Sequence, residues 1–167
     1  MSEDVRASMD GLRQIVRTLR LSAAAAEKDF GISGAQLFVL QKLREAPCTS
    51  IAELATRTAT DPSSVSVVVA RLAASGLVKR APAKGDARRA EIRLTTKGTS
   101  LLRSAPEATQ KQLIDALMRL SPSLRASLAQ GLAGLVREMG IGHKPELFFE
   151  ERGAKKAKRR GSHAPRP

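Results

Sequence analysis

The stretch DPSSVSVVVARLAASGLVKRAPAKGDARRAEIRLTTKG, residues 61–98, decides the fold. Asp61 followed by Pro62 is a helix start: the carboxylate can accept from first-turn amides, and proline at the first position gives up an amide hydrogen that has no helical partner. Val65, Val68, Val69 and Leu72 then recur at steps of three and four and define an apolar face. Ser63, Ser64, Ser66, Val67, Ala70 and Arg71 fall on the other side. Gly76 closes this helix, read as 61–75. Leu77 and Val78, a Pro/Gly/Lys loop at 82–86 and the Ile92/Leu94 alternation predict a two-stranded hairpin. Across 79–97, Lys79, Arg80, Lys84, Arg88, Arg89, Arg93 and Lys97 face only Asp86 and Glu91, a local charge of +5.

Just upstream, Ser50 and Glu53 have capping-box spacing, in which each side chain satisfies a first-turn amide, and they open a short helix carrying Ile51, Leu54 and Ala55. Two short helices joined by a tight connection, the second followed at once by a basic hairpin, predict a mainly α fold with a small β-hairpin wing: a winged helix-turn-helix. That arrangement serves double-stranded DNA, because a helix fits the major groove while a hairpin reaches along the backbone to the neighbouring minor groove. The small, hydroxylic outer face of helix 61–75 suits close approach. Its serines can donate to phosphates or accept from base edges, and Val67 can meet a thymine methyl.

Further out, Val5, Met9, Leu12, Val16 and Leu19 form a stripe on a first helix that runs to about Asp29. Gly31 breaks it. Ser33 can cap a second helix with Leu37, Leu40 and Leu43, ended by Pro47. After the hairpin come a helix around 96–119, interrupted or restarted at Pro106, and one from Ser121-Pro122 carrying Leu124, Leu128, Leu132, Leu135 and Met139. Gly131 and Gly134 each weaken that helix by about 1 kcal/mol relative to Ala, a cost that implies close helix approach.

Composition narrows the function. Of 167 residues, 29 are Lys or Arg and 16 Asp or Glu, a net charge of +13 that points to an anionic partner. The longest uncharged stretch is the twelve residues from Phe30 to Gln41, short of the roughly 20 a membrane helix needs. With an acidic, non-hydrophobic start, this predicts a cytoplasmic, nucleoid-associated protein with no membrane partner. One cysteine and two distant histidines offer neither a disulfide nor a zinc site, so no metal or cofactor is expected. With no Trp or Tyr and four Phe, the chain lacks platforms for stacking single strands. No Ser/His/Asp cluster, phosphate loop or carboxylate pair supports an enzyme. Cys48 reads as a buried or inert thiol rather than a redox sensor. His143 has no visible chemical partner, and Phe148-Phe149 reads as an anchor docked on the chain's own body or on a partner subunit.

The segments Ala35-Gln36-Leu37-Phe38-Val39-Leu40, Ser50-Ile51-Ala52-Glu53-Leu54-Ala55, Asp61-Pro62-Ser63-Ser64-Val65-Ser66, Arg71-Leu72 and Gly76-Leu77-Val78 lead to Asp86-x-Arg88 and Leu94-Thr95-x-x-Gly98. From Gly34 to Gly98 the chain thereby resembles the MarR (multiple antibiotic resistance regulator) family of dimeric winged-helix transcription factors, and the wing signature is the most specific part of the match. The resemblance implies a homodimeric repressor with a helical dimerisation region at 1–30 and 100–142, a DNA-binding domain at 31–99 and a C-terminal segment at 143–167. It makes Arg88 the wing-tip residue in the minor groove, beside Lys84, Arg89 and Arg93, and Asp86 the acid that orients the wing arginine; Asp86 also reads as a plain turn-former beside Gly85. Val67 stands where the family often has a long basic or polar residue, which shifts base reading toward the wing and tail. Many relatives respond to a small anionic aromatic effector between dimer and DNA-binding parts. Arg13 or Arg17 could pair its carboxylate, although exposed helix arginines are usually just solvated. A sequence-nonspecific architectural DNA-binding protein is the alternative.

Residues 151–167 carry +6 of the net charge and are small, basic and proline-containing, a composition read as disordered when free. Counterion release by such a tail is indifferent to sequence. Deleting 151–167 is expected to flatten the salt dependence of DNA binding and weaken specific and random duplex alike. Titrations at several salt concentrations check this; a marked fall in the specificity ratio would show that the tail reads sequence or shape.

Overall fold

The computed structural model describes residues 2–48, 50–83 and 86–141, with the backbone alone at 83 and 86–90. The element order is α1 (Glu3–Phe30), α2 (Gly34–Glu45), α3 (Ile51–Thr58), α4 (Pro62–Ala74), β1 (Val78–Ala83), β2 (Asp86–Leu94), α5 (Thr96–Ser104), α6 (Thr109–Arg119) and α7 (Pro122–Glu138). This is the expected winged helix-turn-helix. The predicted caps are in place: Ser33, Ser50, Asp61 and Ser121 each accept a first-turn amide, and Ser33 with Gln36 forms a full capping box.

The uncharged stretch of the sequence becomes the centre of the molecule. In α2, Leu37, Phe38, Val39 and Leu40 are all buried, and Leu54 of α3, Val65, Val68 and Leu72 of α4, and Ile92 of β2 join the same cluster. Buried Gln41 is satisfied at both ends, donating to the Pro106 carbonyl (2.7 Å) and accepting from the Ala108 amide (2.9 Å). Those two bonds hold the connection at 105–108, where the stretch expected to be helical around 96–119 breaks into α5 and α6.

Two boundaries differ from expectation. The helix read as 61–75 is helical over Pro62–Ala74, because Ser75 and Gly76 form the turn that leaves it, with Gly76 at φ +67°. The hairpin loop expected over 82–86 is narrower: β1 continues to Ala83 and β2 starts at Asp86, with a register irregularity between Pro82 and Ala83. Val78 pairs with Leu94 and Arg80 with Ile92 in the antiparallel ladder. The backbone of Cys48 forms an isolated antiparallel bridge to β2, exchanging both hydrogen bonds with Ile92 (3.2 and 2.7 Å).

The base of the hairpin is tied to the end of α4. Thr95 caps α5 by accepting from the Gly98 amide (3.1 Å), donates its hydroxyl to the Gly76 carbonyl (2.7 Å), and donates its amide to the Leu77 carbonyl (3.1 Å). Lys97 donates to the Ser75 carbonyl (3.0 Å). A Cβ at position 98 would stand 2.2 Å from the Leu77 carbonyl oxygen, so only glycine fits.

Burial is uneven. Ala26 is the buried residue of α1, and α6 and α7 bury none of theirs in this chain. Val5, Met9 and Ile15 of α1, and Leu124, Leu128, Leu132, Leu135 and Met139 of α7, stay exposed. Among the described residues, the close helix approach expected at Gly131 and Gly134 is absent, and a Cβ at either would meet open space.

Gly98→Ala is expected to lower stability by about 1–3 kcal/mol, because backbone must shift to admit the methyl group. Urea denaturation checks it, with Ser100→Ala on the exposed side of α5 as control. An unchanged midpoint would show that the close approach is not a constraint.

Candidate nucleic-acid interface

The interface is built on the face of α4 that the core does not use. Val65, Val68 and Leu72 are fully buried and Val69 nearly so, which turns Ser63, Ser66, Val67 and Ala70 to the exterior; Val67 is 50% exposed. Asp61 organises the leading turn. Its Oδ1 accepts from the Ser64 amide (3.0 Å) and from the Ser63 hydroxyl, and its Oδ2 accepts from the Ser64 hydroxyl (2.7 Å). These bonds, the Ser63 hydroxyl first, hold the Asp61 carboxyl well below the usual carboxylate range.

Arg71 departs from the outward placement expected for it. It is partly buried and lines a cleft of about 690 Å³ between α1, α2, α4 and α6. Arg20 and Glu27 of α1, Gln36 of α2, Ser75 beyond α4 and Gln110 of α6 share that lining. Neither Arg13 nor Arg17 is among the lining residues; Arg13 instead pairs with Asp10 (2.8 Å) on the exposed side of α1.

On the hairpin, Lys79 and Arg80 are exposed. Arg93 is bound twice to Glu91, at 2.6 and 2.9 Å, so its guanidinium is oriented along β2 and its charge is partly offset. The backbone places Asp86, Arg88 and Arg89 on β2. Their side chains lie outside the described residues, as do Lys84, His143, Phe148-Phe149, the segment 143–167 and its basic tail at 151–167.

Arg57, at the end of α3, is a participant that pattern reading missed. It donates to the carbonyls of Lys42 and Ala46 (the latter at 2.8 Å) and to the Cys48 sulfur (2.6 Å), closing the open end of α2 and joining it to α3. A cation in a last helical turn reads only as a partner for its own helix dipole, and the partners it has are nine, eleven and fifteen residues away. Cys48 is fully buried, and burial pushes its thiol pKa up against the opposing charge of Arg57. Among the described residues, no group of His, Cys, Asp and Glu could hold a metal ion, and no helix is long and apolar enough to cross a membrane.

The MarR family model matches residues 32–90, which span α2 to the wing. A helix-turn-helix-type transcriptional regulator of Mycobacterium leprae is 31% identical over 108 residues, 65% of this chain and 75% of the relative. Among solved structures, a MarR/EmrR family transcriptional regulator from Acinetobacter superimposes with a TM-score of 0.55 at 19% identity, covering 84% of this chain and 99% of that one. The transcriptional regulator BldR from Sulfolobus solfataricus does so with a TM-score of 0.52 at 23% identity, covering 83% and 99%.

Arg57→Ala is expected to cost about 1–3 kcal/mol in urea denaturation, because the α2 carbonyls lose a charged donor. It should also speed labelling of Cys48 by a thiol reagent, which in the native wild type should be far slower than for an unfolded thiol. Fast labelling of the native wild type would overturn this account.

Proposed function

The chain belongs to the MarR family of DNA-binding transcriptional regulators, and on that premise we propose that it is a homodimeric repressor reading a pseudo-palindromic operator. One observation carries the reading: α4 buries its valine face and presents Ser63, Ser66, Val67 and Ala70 outward, beside a hairpin whose root is tied to the end of that same helix. In the complex, α4 enters the major groove with Ser63, Ser64, Ser66 and Val67 nearest the bases. Arg88 enters the adjacent minor groove, oriented by Asp86, while Lys84, Arg89 and Arg93 neutralise phosphates. The protein is not an enzyme. Repression is the mode that the family resemblance implies.

The exposed apolar residues of α1 and α7 support the homodimer, with 1–30 and 100–142 as the dimerisation region and 31–99 as the DNA-binding domain. Leu124, Leu128, Leu132 and Leu135 repeat along one helix whose glycines leave room for a neighbour, and burying such side chains contributes about 1.5–3 kcal/mol each. A two-fold dimer sets half-sites about 10 bp apart or a multiple of that. The cleft holding Arg20 and Arg71 is the place for a small anionic effector, since it joins α1 to α4.

Selection of bound fragments from random genomic DNA, followed by footprinting, tests this reading. A discrete pseudo-palindrome is expected. Continuous coverage would favour the architectural alternative. On the selected site, Arg88→Ala should weaken binding by about 1–3 kcal/mol and leave the dimer intact by sedimentation; unchanged affinity would remove the wing assignment.

A further inference from the structure

We propose that Asp61 is a specificity-determining residue: by taking the hydroxyl protons of Ser63 and Ser64, it makes both serines acceptor-only readers of the exocyclic amino groups of adenine or cytosine. This rests on α4 entering the major groove and says which base chemistry its leading turn selects.

The number of protons on these hydroxyls decides what they can bind. A serine hydroxyl has one proton to donate and two lone pairs. An ionised carboxylate accepts only, so both side-chain bonds to Asp61 use the serine protons: Ser63 donates to Oδ1 and Ser64 to Oδ2 at 2.7 Å. The Ser64 amide donates to Oδ1 at 3.0 Å, and the hydrogen bonds it accepts keep Asp61 ionised at neutral pH. The exposed hydroxyl of Ser63 and the partly buried one of Ser64 therefore present lone pairs alone to a ligand.

Duplex DNA offers little that matches such a surface except base edges. Phosphate oxygens are acceptors and carry the same sign of charge as Asp61, so they cannot bond these hydroxyls without first taking the proton from the carboxylate. Guanine O6 and N7 and thymine O4 are acceptors too. The donors of the major groove are the N6 amino group of adenine and the N4 amino group of cytosine. Pro62, with no amide hydrogen, removes one more donor from the same turn. The leading turn of α4 thus offers fewer donors than the usual helix N-terminus, which attracts phosphate through free amides.

The experiment uses the full chain and the half-site obtained by genomic selection, with duplexes in which each adenine or cytosine amino group is deleted in turn by base analogue. At one or two positions the wild type should lose about fivefold or more in affinity, the size of a specific base contact. Asp61→Asn keeps an Oδ1 that accepts from the Ser64 amide and the Ser63 hydroxyl, so the helix cap survives, but its amide nitrogen donates to the Ser64 oxygen and releases that one hydroxyl proton. The Ser63→Ala/Ser64→Ala double variant should be indifferent to the same deletions, Asp61→Asn should be less sensitive than the wild type at the position read by Ser64, and Asp61→Asn should gain affinity for random duplex. Two results overturn the proposal alone: a wild type indifferent to every amino deletion within a discrete site, or an Asp61→Asn protein with undiminished sensitivity. Failure to select any discrete site would instead overturn the sequence-specific reading, and this one with it.

Discussion

The contact on which the rest of the structure depends is the seat of Gly98 against the carbonyl of Leu77, reinforced by Thr95. It seats the first turn of α5, just beyond β2, against the turn that joins α4 to β1, without a side chain between them. A Cβ at 98 would lie 2.2 Å from that oxygen, and Thr95 spends its amide on the same carbonyl and its hydroxyl on the neighbouring one at Gly76. Because Leu77, Val78 and Ile92 are buried on the core side of this junction, the hairpin cannot pivot at its root without opening the core. That constraint sets the angle between α4 and the hairpin within the single chain.

A second division follows from how apolar residues are spent. Those of α2, α3, α4 and the hairpin meet one another around Phe38 and Leu40, while those of α1 and α7 stay largely in solvent in the single chain. The cleft between α1, α2, α4 and α6 lies where these two regions meet, and Arg71 brings the helix-turn-helix into contact with it. Arg71 and Ala74 are the parts of α4 that line it, and contact with them is the physical requirement for an occupant to bias the position of that helix.

Charge is arranged with comparable economy. The +13 of the chain is offset where the fold needs fixed geometry: Glu91 orients Arg93, and Asp61 orients two serines. A negative group at the leading end of α4 weakens its pull on the backbone, so on this reading that end contributes choice of base rather than affinity.

Much of this was legible in the chain itself because the physics involved is local. Asp61-Pro62 and Ser50 as helix starts, the valine face of α4, the two strands and the breaks at Gly31 and Gly76 all depend on neighbours within a turn, and spacing encodes them. The wing signature showed that residue 98 is glycine but not what a methyl group there would strike. Only the tertiary structure brought Gly98 to Leu77, Gln41 to Pro106 and Ala108, and Arg57 to the end of α2, and it moved Arg71 from the exterior into a cleft with Arg20. Periodicity states which side of a helix is apolar, whereas the partner of a polar or missing side chain is decided by segments that meet only after the core has closed.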